Sequence, residues 1–239
     1  MSIRSGYPFY GQYVGVLVFS GMTPRIPGDA GHAQTFSYPV RYEVVEGGFA
    51  QLLDYNDAVK QNILRGCENL KKAGIRGILG DCGMMSLYQD CLGAETGIPF
   101  LGSSLCQIPM IWQLIGRSGR IGVLTGHSGM LSKKHLSASG WTPEIPLVIQ
   151  GLQDEPHFYE TVICGGMNLD PEKMERDVLH AAACLKEQAP DLRAVVIECS
   201  NLPTYSRAVS EQTGLPVFDT MSAANLLAYA VHPPVYPEI

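Results

Sequence analysis

Two cysteines lie at equivalent points of a segment that occurs twice in the chain. The first copy, ILGDCGMMSLYQDCLGAETGIP, places Cys82 fourteen residues before Thr96. The second copy, VIECSNLPTYSRAVSEQTGLP, places Cys199 fourteen residues before Thr213. In both copies an apolar run and an acidic residue precede the cysteine, and a Thr-Gly-apolar-Pro sequence closes the segment. The match predicts a duplicated unit with a thiol at the same point of each half.

Such a pair of thiols suits proton transfer at carbon. Each cysteine ends a predicted strand and precedes a predicted helix, and ligands of open parallel sheets bind beyond the carboxyl ends of the strands. The positive end of the helix dipole is expected to lower the thiol pKa there. A thiolate on one side of a carbon acid and a thiol on the other can remove and return a proton without a cofactor. We predict that Cys82 and Cys199 flank one cleft as base and acid, in an order that the sequence leaves open.

Short apolar runs alternate with helix-length segments around these cysteines. Runs with apolar residues on both faces, separated by helices, indicate parallel sheets covered by helices. We predict strands at 13–19, 75–80, 99–102, 119–126, 147–152, 193–199 and 216–219, with 39–47 as a loop or edge strand. We predict helices at 56–73, 86–96, 107–115, 129–139, 171–186, 205–213 and 222–231.

The duplicated pattern predicts an α/β fold of two pseudo-symmetric domains with parallel sheets and an active site in the cleft between them. A length of 239 residues accommodates two small domains. The first domain is expected to span residues 1–116 and to be completed by the C-terminal helix at 222–239. The second is expected to span residues 117–221.

The charge balance argues against nucleic acid or an anionic membrane as partner. The formal net charge is −6 and no Lys/Arg-rich run is present. No apolar run reaches the roughly 18 residues of a membrane span, and the N-terminal MSIRSGYPFYGQ lacks the apolar region of a secretory signal. We therefore expect a cytoplasmic protein, and a homo-oligomer because symmetric oligomers are common among such proteins.

Cysteine and glycine patterns give no sign of a metal or a nucleotide cofactor. Seven cysteines in a chain without a signal peptide indicate reduced thiols. No C-x-x-C pair, no His pair with ligand spacing and no glycine-rich phosphate loop is present. We predict neither a metal nor a cofactor. The cysteines outside the matched pair are interpreted as small hydrophobic residues: Cys67, Cys91, Cys106, Cys164 and Cys184.

Four segments resemble the aspartate/glutamate racemase superfamily, which includes hydantoin racemases, maleate isomerases, arylmalonate decarboxylases and algal-type dimethylsulfoniopropionate lyases. They are RIPGDAGHAQTFSYPVRYEVVEG, GDCGMM, GRIGVLTGHS and ECSNLPTYSRAVSEQTGLPVFD. The first is especially similar to the subgroup that includes the dimethylsulfoniopropionate lyases. The resemblance covers the whole chain. It implies two pseudo-symmetric α/β domains and catalytic roles for Cys82 and Cys199.

The residues after each cysteine depart from the amino-acid racemases of this superfamily. Gly83 and Met84 replace the usual Asn-Thr, and Ser200 and Asn201 replace Thr followed by Glu or His. Contacts to the carboxylate and ammonium of an amino acid are therefore partly missing, which disfavours a strict Asp or Glu racemase. These four residues are predicted to shape the substrate site. The presence of both cysteines argues against a decarboxylase resembling arylmalonate decarboxylase.

Further residues are candidates for the rim of the cleft. Asp29 is placed to meet a cationic substrate group, and Thr125 is placed to bind a carboxylate. Asp81 and Glu198 precede the cysteines, and strand alternation predicts that their side chains point away from the thiols. Three aromatic residues could wall the cleft or belong to the core, and three histidines are expected on the surface: Phe36, Tyr38, Tyr42, His32, His127 and His135.

These observations predict a cofactor-independent enzyme of the racemase or epimerase type that removes a proton next to the carboxylate of a small acid. A first alternative is a dimethylsulfoniopropionate lyase, in which the same carbanion expels dimethyl sulfide and leaves acrylate. A second is a non-catalytic, two-lobed protein that binds a small molecule.

Overall fold

Residues 6–8 and 10–237 are described by a computed structural model. The first sheet has four parallel strands in the order β2-β1-β3-β4. The strands are β1 (Val14–Phe19), β2 (Val40–Val45), β3 (Gly77–Gly80) and β4 (Phe100–Leu101). The segment left open as loop or strand is therefore an edge strand.

The second sheet repeats this arrangement with the order β6-β5-β7-β8, again with parallel pairing. Its strands are β5 (Arg120–Thr125), β6 (Leu147–Gly151), β7 (Leu192–Ile197) and β8 (Val217–Phe218). The shared strand order confirms the predicted α/β class and its internal symmetry. Below, the first half and the second half denote the parts of the chain that contain these two sheets.

Helices connect the strands. They are α1 (Asp57–Lys72), α2 (Gln89–Thr96), α3 (Ile108–Leu114), α4 (Lys133–Ala138), α5 (Pro156–Phe158), α6 (Pro171–Gln188), α7 (Ser206–Thr213) and α8 (Thr220–Val231). The α1 helix begins at Asn56, whose side-chain oxygen accepts the amides of Ala58 and Val59. It stops before Gly74, whose φ of +87° suits glycine.

Several helices begin later than predicted. Tight 3₁₀ turns, Gly83–Tyr88 and Pro203–Tyr205, precede α2 and α7. The helix predicted at 129–139 is confined to α4. The α5 helix, which continues as a π-helical turn at Tyr159–Ile163, had no predicted counterpart.

The last helix covers the first sheet rather than the second. Ala224 and Leu227 of α8 belong to one buried cluster with Val16 and Leu79 of β1 and β3. A Cβ atom added at Gly77 would lie 2.9 Å from the Leu227 side chain, so glycine permits this close packing. The chain thus returns to its first half after finishing the second sheet.

Polar contacts join the two halves near the carboxyl ends of their strands. Ser104 Oγ donates to the carbonyl of Ile197 over 2.8 Å, and Ser200 Oγ donates to the carbonyl of Asp81. An apolar cluster continues across the same boundary, from Leu105 in the first half to Leu136 in the second. Within residues 6–8 and 10–237, no helix has the length and hydropathy that crossing a membrane requires.

Candidate active site

A cavity of about 180 Å³ lies between the halves, at the carboxyl ends of β1, β3, β5 and β7. Its apolar walls include Phe19, Phe49, Met84, Met130, Val162 and Ile163. Its polar and titratable lining includes Arg25, Asp81, Cys82, Thr125, His127, Glu198, Cys199, Ser200 and Asn201. This position, beyond the carboxyl ends of parallel strands, is where open α/β sheets bind ligands.

The two duplicated thiols both line this cavity. Cys82 follows β3 directly before a 3₁₀ turn, and Cys199 occupies the equivalent place after β7. The backbone N–H two residues further on, at Met84 and at Asn201, points to the respective sulfur atom. One thiol from each half is therefore available to a single bound molecule.

The environment of these thiols differs from the prediction. Burial raises the pKa of Cys82 well above its usual value, and the nearby carboxyls of Glu198 and Asp81 raise it further. Burial followed by Glu198 likewise raises the pKa of Cys199. The amides of Met84 and Asn201 act in the opposite direction but are outweighed. The predicted lowering of the thiol pKa by the helix ends is wrong in this structure.

The acidic residues before the cysteines are also placed differently from the prediction. Asp81 and Glu198 were expected to point away from the thiols, but both line the cavity. The reason is that β3 ends at Gly80 and β7 ends at Ile197. The alternation of a strand therefore no longer governs the acid–cysteine pairs.

Arg25 organises a cluster of polar side chains beside the cavity. Its guanidinium lies 2.6 Å from Asp29 Oδ1 and 2.6 Å from Asp81 Oδ2. Asn201 Nδ2 donates to Asp29 Oδ2 over 2.6 Å, and the Cys199 thiol donates to Asn201 Oδ1 over 3.7 Å. Despite Arg25, burial raises the pKa of Asp81 to about 6. Through Arg25, Asp29 and Asn201 the cluster links Asp81, the residue before Cys82, to the Cys199 thiol.

This cluster corrects the role predicted for Asp29. The residue is 1% exposed and is held by Arg25, Asn201 and the amide of Gly31, so it does not face the cavity. Arg25 is absent from the predicted site, although its spacing of four residues from Asp29 could have indicated an ion pair.

Glu198 contacts two of the remaining candidates, Thr125 and Gly83. Thr125 Oγ1 donates to Glu198 Oε2 over 2.8 Å, so the hydroxyl faces this carboxyl group. A Cβ atom at Gly83 would overlap both Oε1 and the carbonyl oxygen of Glu198. Gly83 therefore serves the close approach of the two halves. Burial raises the pKa of Glu198, while Thr125 and the Gly126 amide partly oppose that effect.

Other predicted residues divide between cavity and core. Met84 lines the cavity, as does Ser200, although the Ser200 hydroxyl is engaged with the Asp81 carbonyl. His127 also lines it, and it is half-buried with its Nδ1 accepting the Gly129 amide. His135 was expected on the surface, but it is fully buried because its ring bonds to the Leu52 carbonyl between the two halves. The three aromatic candidates pack beside α8, away from the cavity: Phe36, Tyr38 and Tyr42.

The described part of the chain holds no group of three or more His, Cys, Asp or Glu side chains arranged to bind a metal ion. The groups that the cavity offers for chemistry are thiols, carboxyls, a guanidinium, an imidazole, hydroxyls and an amide side chain.

Comparison with known proteins identifies relatives over most of the chain. No family model matches. A dimethylsulfoniopropionate lyase of Durusdinium sp. clade D is 31% identical over 209 residues, which cover 84% of this chain and 68% of the relative. Dimethylsulfoniopropionate lyase 7 of Emiliania huxleyi (strain CCMP1516) is 31% identical over 223 residues, or 89% of this chain and 65% of the relative. The chain thus spans about two thirds of the length of these relatives.

Solved structures share the fold at lower sequence identity. An arylmalonate decarboxylase structure aligns with a TM-score of 0.63 and 15% identity, covering 94% of both chains. The aspartate racemase of Picrophilus torridus aligns with a TM-score of 0.57 and 15% identity, covering 95% of this chain and 96% of its own. These similarities confirm the two-sheet architecture.

Proposed function

The chain belongs to the family of the dimethylsulfoniopropionate lyases within the Asp/Glu racemase superfamily, and on that premise we propose that it is a cofactor-independent lyase acting on a small carboxylate with a sulfonium leaving group. Membership makes it an enzyme of the isomerase or lyase kind, rather than a binding protein without turnover. The single observation that supports the lyase is the 31% identity to a dimethylsulfoniopropionate lyase, in a chain whose cavity is lined by thiols that can act as the base.

The proposed reaction is a β-elimination. A thiolate, from Cys82 or Cys199, takes the proton from the carbon next to the carboxylate. The electron pair left on that carbon forms the double bond of acrylate, while the carbon–sulfur bond breaks and its electron pair leaves with dimethyl sulfide. The proton on the thiol is then released to solvent. The N–H groups of Met84 and Asn201, which point to the sulfur atoms of Cys82 and Cys199, would stabilise the thiolate that acts as base.

Racemisation or epimerisation of a small acid is the second candidate. The observation in its favour is that a thiol is present in each half, because inversion at carbon needs an acid opposite the base. Elimination needs only one base, so the second thiol is required by racemisation alone.

A proton NMR time course in deuterated water separates these candidates. The panel contains dimethylsulfoniopropionate, both enantiomers of aspartate, glutamate and several hydroxy acids, together with hydantoins and maleate. Vinyl signals of acrylate with release of dimethyl sulfide are the expected result. Loss of an α-proton signal without a new product would instead support racemisation, and no change with dimethylsulfoniopropionate would contradict the proposed lyase.

Replacing the thiol that acts as base is expected to abolish turnover. For elimination, either Cys82→Ser or Cys199→Ser should lower kcat by at least about 100-fold, because a serine hydroxyl has a much higher pKa than a thiol and forms far less of the anionic base near neutral pH. Racemisation needs both thiols, so both changes would then have this effect. Cys106→Ser is the matched control, because its thiol is also partly buried but bonds to Gln89 Oε1 outside the cavity. Headspace measurement of dimethyl sulfide gives the rates. Full activity in both cavity variants would exclude the thiols from the reaction.

A further inference from the structure

Glu198 is a buried carboxyl group in the cavity wall with no cationic partner among residues 6–8 and 10–237. It is 3% exposed, and its side-chain bond is to the neutral hydroxyl of Thr125. The other carboxylates nearby, Asp29 and Asp81, both pair with Arg25 at 2.6 Å. Glu198 therefore differs from its neighbours in lacking a compensating charge.

A carboxylate in this position is costly to ionise. Removing a charge from water is unfavourable unless an opposite charge or several hydrogen bonds replace the solvent. Thr125 and the Gly126 amide supply part of that compensation, but burial still raises the pKa of Glu198. A cation entering the cavity would supply the remainder.

The carboxyl group also lies close to both thiols. Its charge contributes to raising the pKa of Cys82 and that of Cys199. The absence of a side chain at Gly83 leaves space for Oε1 beside the loop that carries Cys82. A positive group paired with Glu198 would therefore lie within reach of the reacting centre.

We propose that Glu198 is a specificity-determining residue that pairs with the cationic group of a zwitterionic substrate. It would thereby select this substrate over a carboxylate of the same shape in which an uncharged group replaces the cation. This inference rests on the proposed function in that it concerns the same cavity. The other charged or titratable groups that face the cavity are Arg25, Asp81, His127 and the two thiols. Asp29 and Asp81 are both paired with Arg25. Glu198 is therefore the carboxyl group in the cavity wall that can pair with a cationic ligand.

The test compares two inert ligands that differ by one charge. These are 3-(trimethylammonio)propanoate and 4,4-dimethylpentanoate, whose affinities are measured by calorimetry at neutral pH. The cation should bind the wild-type protein at least about tenfold more tightly, because a buried charge pair discriminates strongly against a neutral partner. Glu198→Gln should lower this ratio by at least about tenfold. Glu211 is exposed on α7 and pairs with Arg207, away from the cavity, so Glu211→Gln should leave the ratio unchanged.

The outcomes keep this inference separate from the proposed lyase reaction. Equal affinity of the wild-type protein for both ligands would overturn it, whether or not the variant folds. So would an unchanged ratio in folded Glu198→Gln. Thr125→Val removes the hydrogen bond but keeps the carboxyl group, so preference for the cation should persist. Cation preference without release of dimethyl sulfide would contradict the lyase alone, and release without preference would contradict the role of Glu198 alone.

Discussion

Cys82 and Cys199 show how burial can outweigh a favourable backbone. Each thiol receives one N–H, from Met84 and from Asn201, yet each has a raised pKa because it is partly buried beside carboxyl groups. The thiols are therefore protonated at neutral pH in this structure. A cationic substrate near Glu198 would offset the carboxyl charge and shift each thiol towards the thiolate, so binding itself would help to form the base.

The raised thiol pKa predicts a rate that increases with pH. Because the thiolate fraction of the free enzyme grows with pH, kcat/KM should rise by up to about tenfold per pH unit across the neutral range. Asp81, whose pKa is raised to about 6, is ionised over most of that range and does not reverse the trend. Initial rates of dimethyl sulfide release in overlapping buffers provide the measurement. A flat profile would show that thiol ionisation does not limit the reaction.

The turns that carry the cysteines depend on close contact between the halves. The Gly83–Tyr88 turn meets the residue that follows β7 so closely that Glu198 occupies the site of a Gly83 side chain. In the same half, Gly93 of α2 has open space, since the nearest atom to an added Cβ is 4.0 Å away in the Gln89 side chain. The two glycines thus have different roles.

Alanine at these glycines should have opposite effects. Gly83→Ala forces the loops apart and should lower the free energy of unfolding by about 1–3 kcal/mol, as overpacking does. Its activity should fall as well, because Glu198 and the thiols shift. Gly93→Ala is the matched control and should stabilise the protein by about 0.5–1 kcal/mol through helix propensity. Urea unfolding with activity assays tests both; a Gly83→Ala protein of normal stability would contradict the contact.

The sequence predicted the strands and long helices because their apolar spacing and caps are local signals, as at Asn56 and Gly74. It also predicted that Cys82 and Cys199 line one cleft, because each lies fourteen residues before the threonine that closes its copy of the repeated segment. The pairing of Arg25 with Asp81 and the position of Glu198 beside Gly83 depend on contacts between distant segments, so neither could be predicted from local signals. Val162 and Ile163 lie on a π-helical turn whose short sequence has no periodicity to predict it.

The two halves are held together by buried polar bonds as well as by the apolar core. His135 of α4 is fully buried, and its Nε2 donates to the carbonyl of Leu52 in the first half over 2.7 Å. Its Nδ1 accepts the amide of Ser132, which fixes the neutral tautomer. Burial lowers the pKa of His135 below 6.5. Folding therefore favours the neutral ring.

Protonation of His135 is expected to lower the free energy of unfolding in acid. Because its pKa is lower in the folded chain, its contribution is complete above the unfolded pKa of 6.5 and is lost as pH falls through the folded value. Asp81, with a raised pKa, acts in the opposite direction. The difference between wild type and His135→Gln therefore isolates the histidine, since glutamine keeps an N–H donor. The urea midpoint of the variant should fall less on acidification; parallel pH curves would contradict the prediction.

The position of α8 has a consequence for synthesis on the ribosome. Val16 and Leu79 of the first sheet are buried by Ala224 and Leu227, which are translated after every strand of both sheets. One face of the first sheet therefore stays uncovered while the whole second half is being made. In a nascent chain the first sheet therefore completes its burial only when α8 emerges, after every strand of the second sheet has been translated.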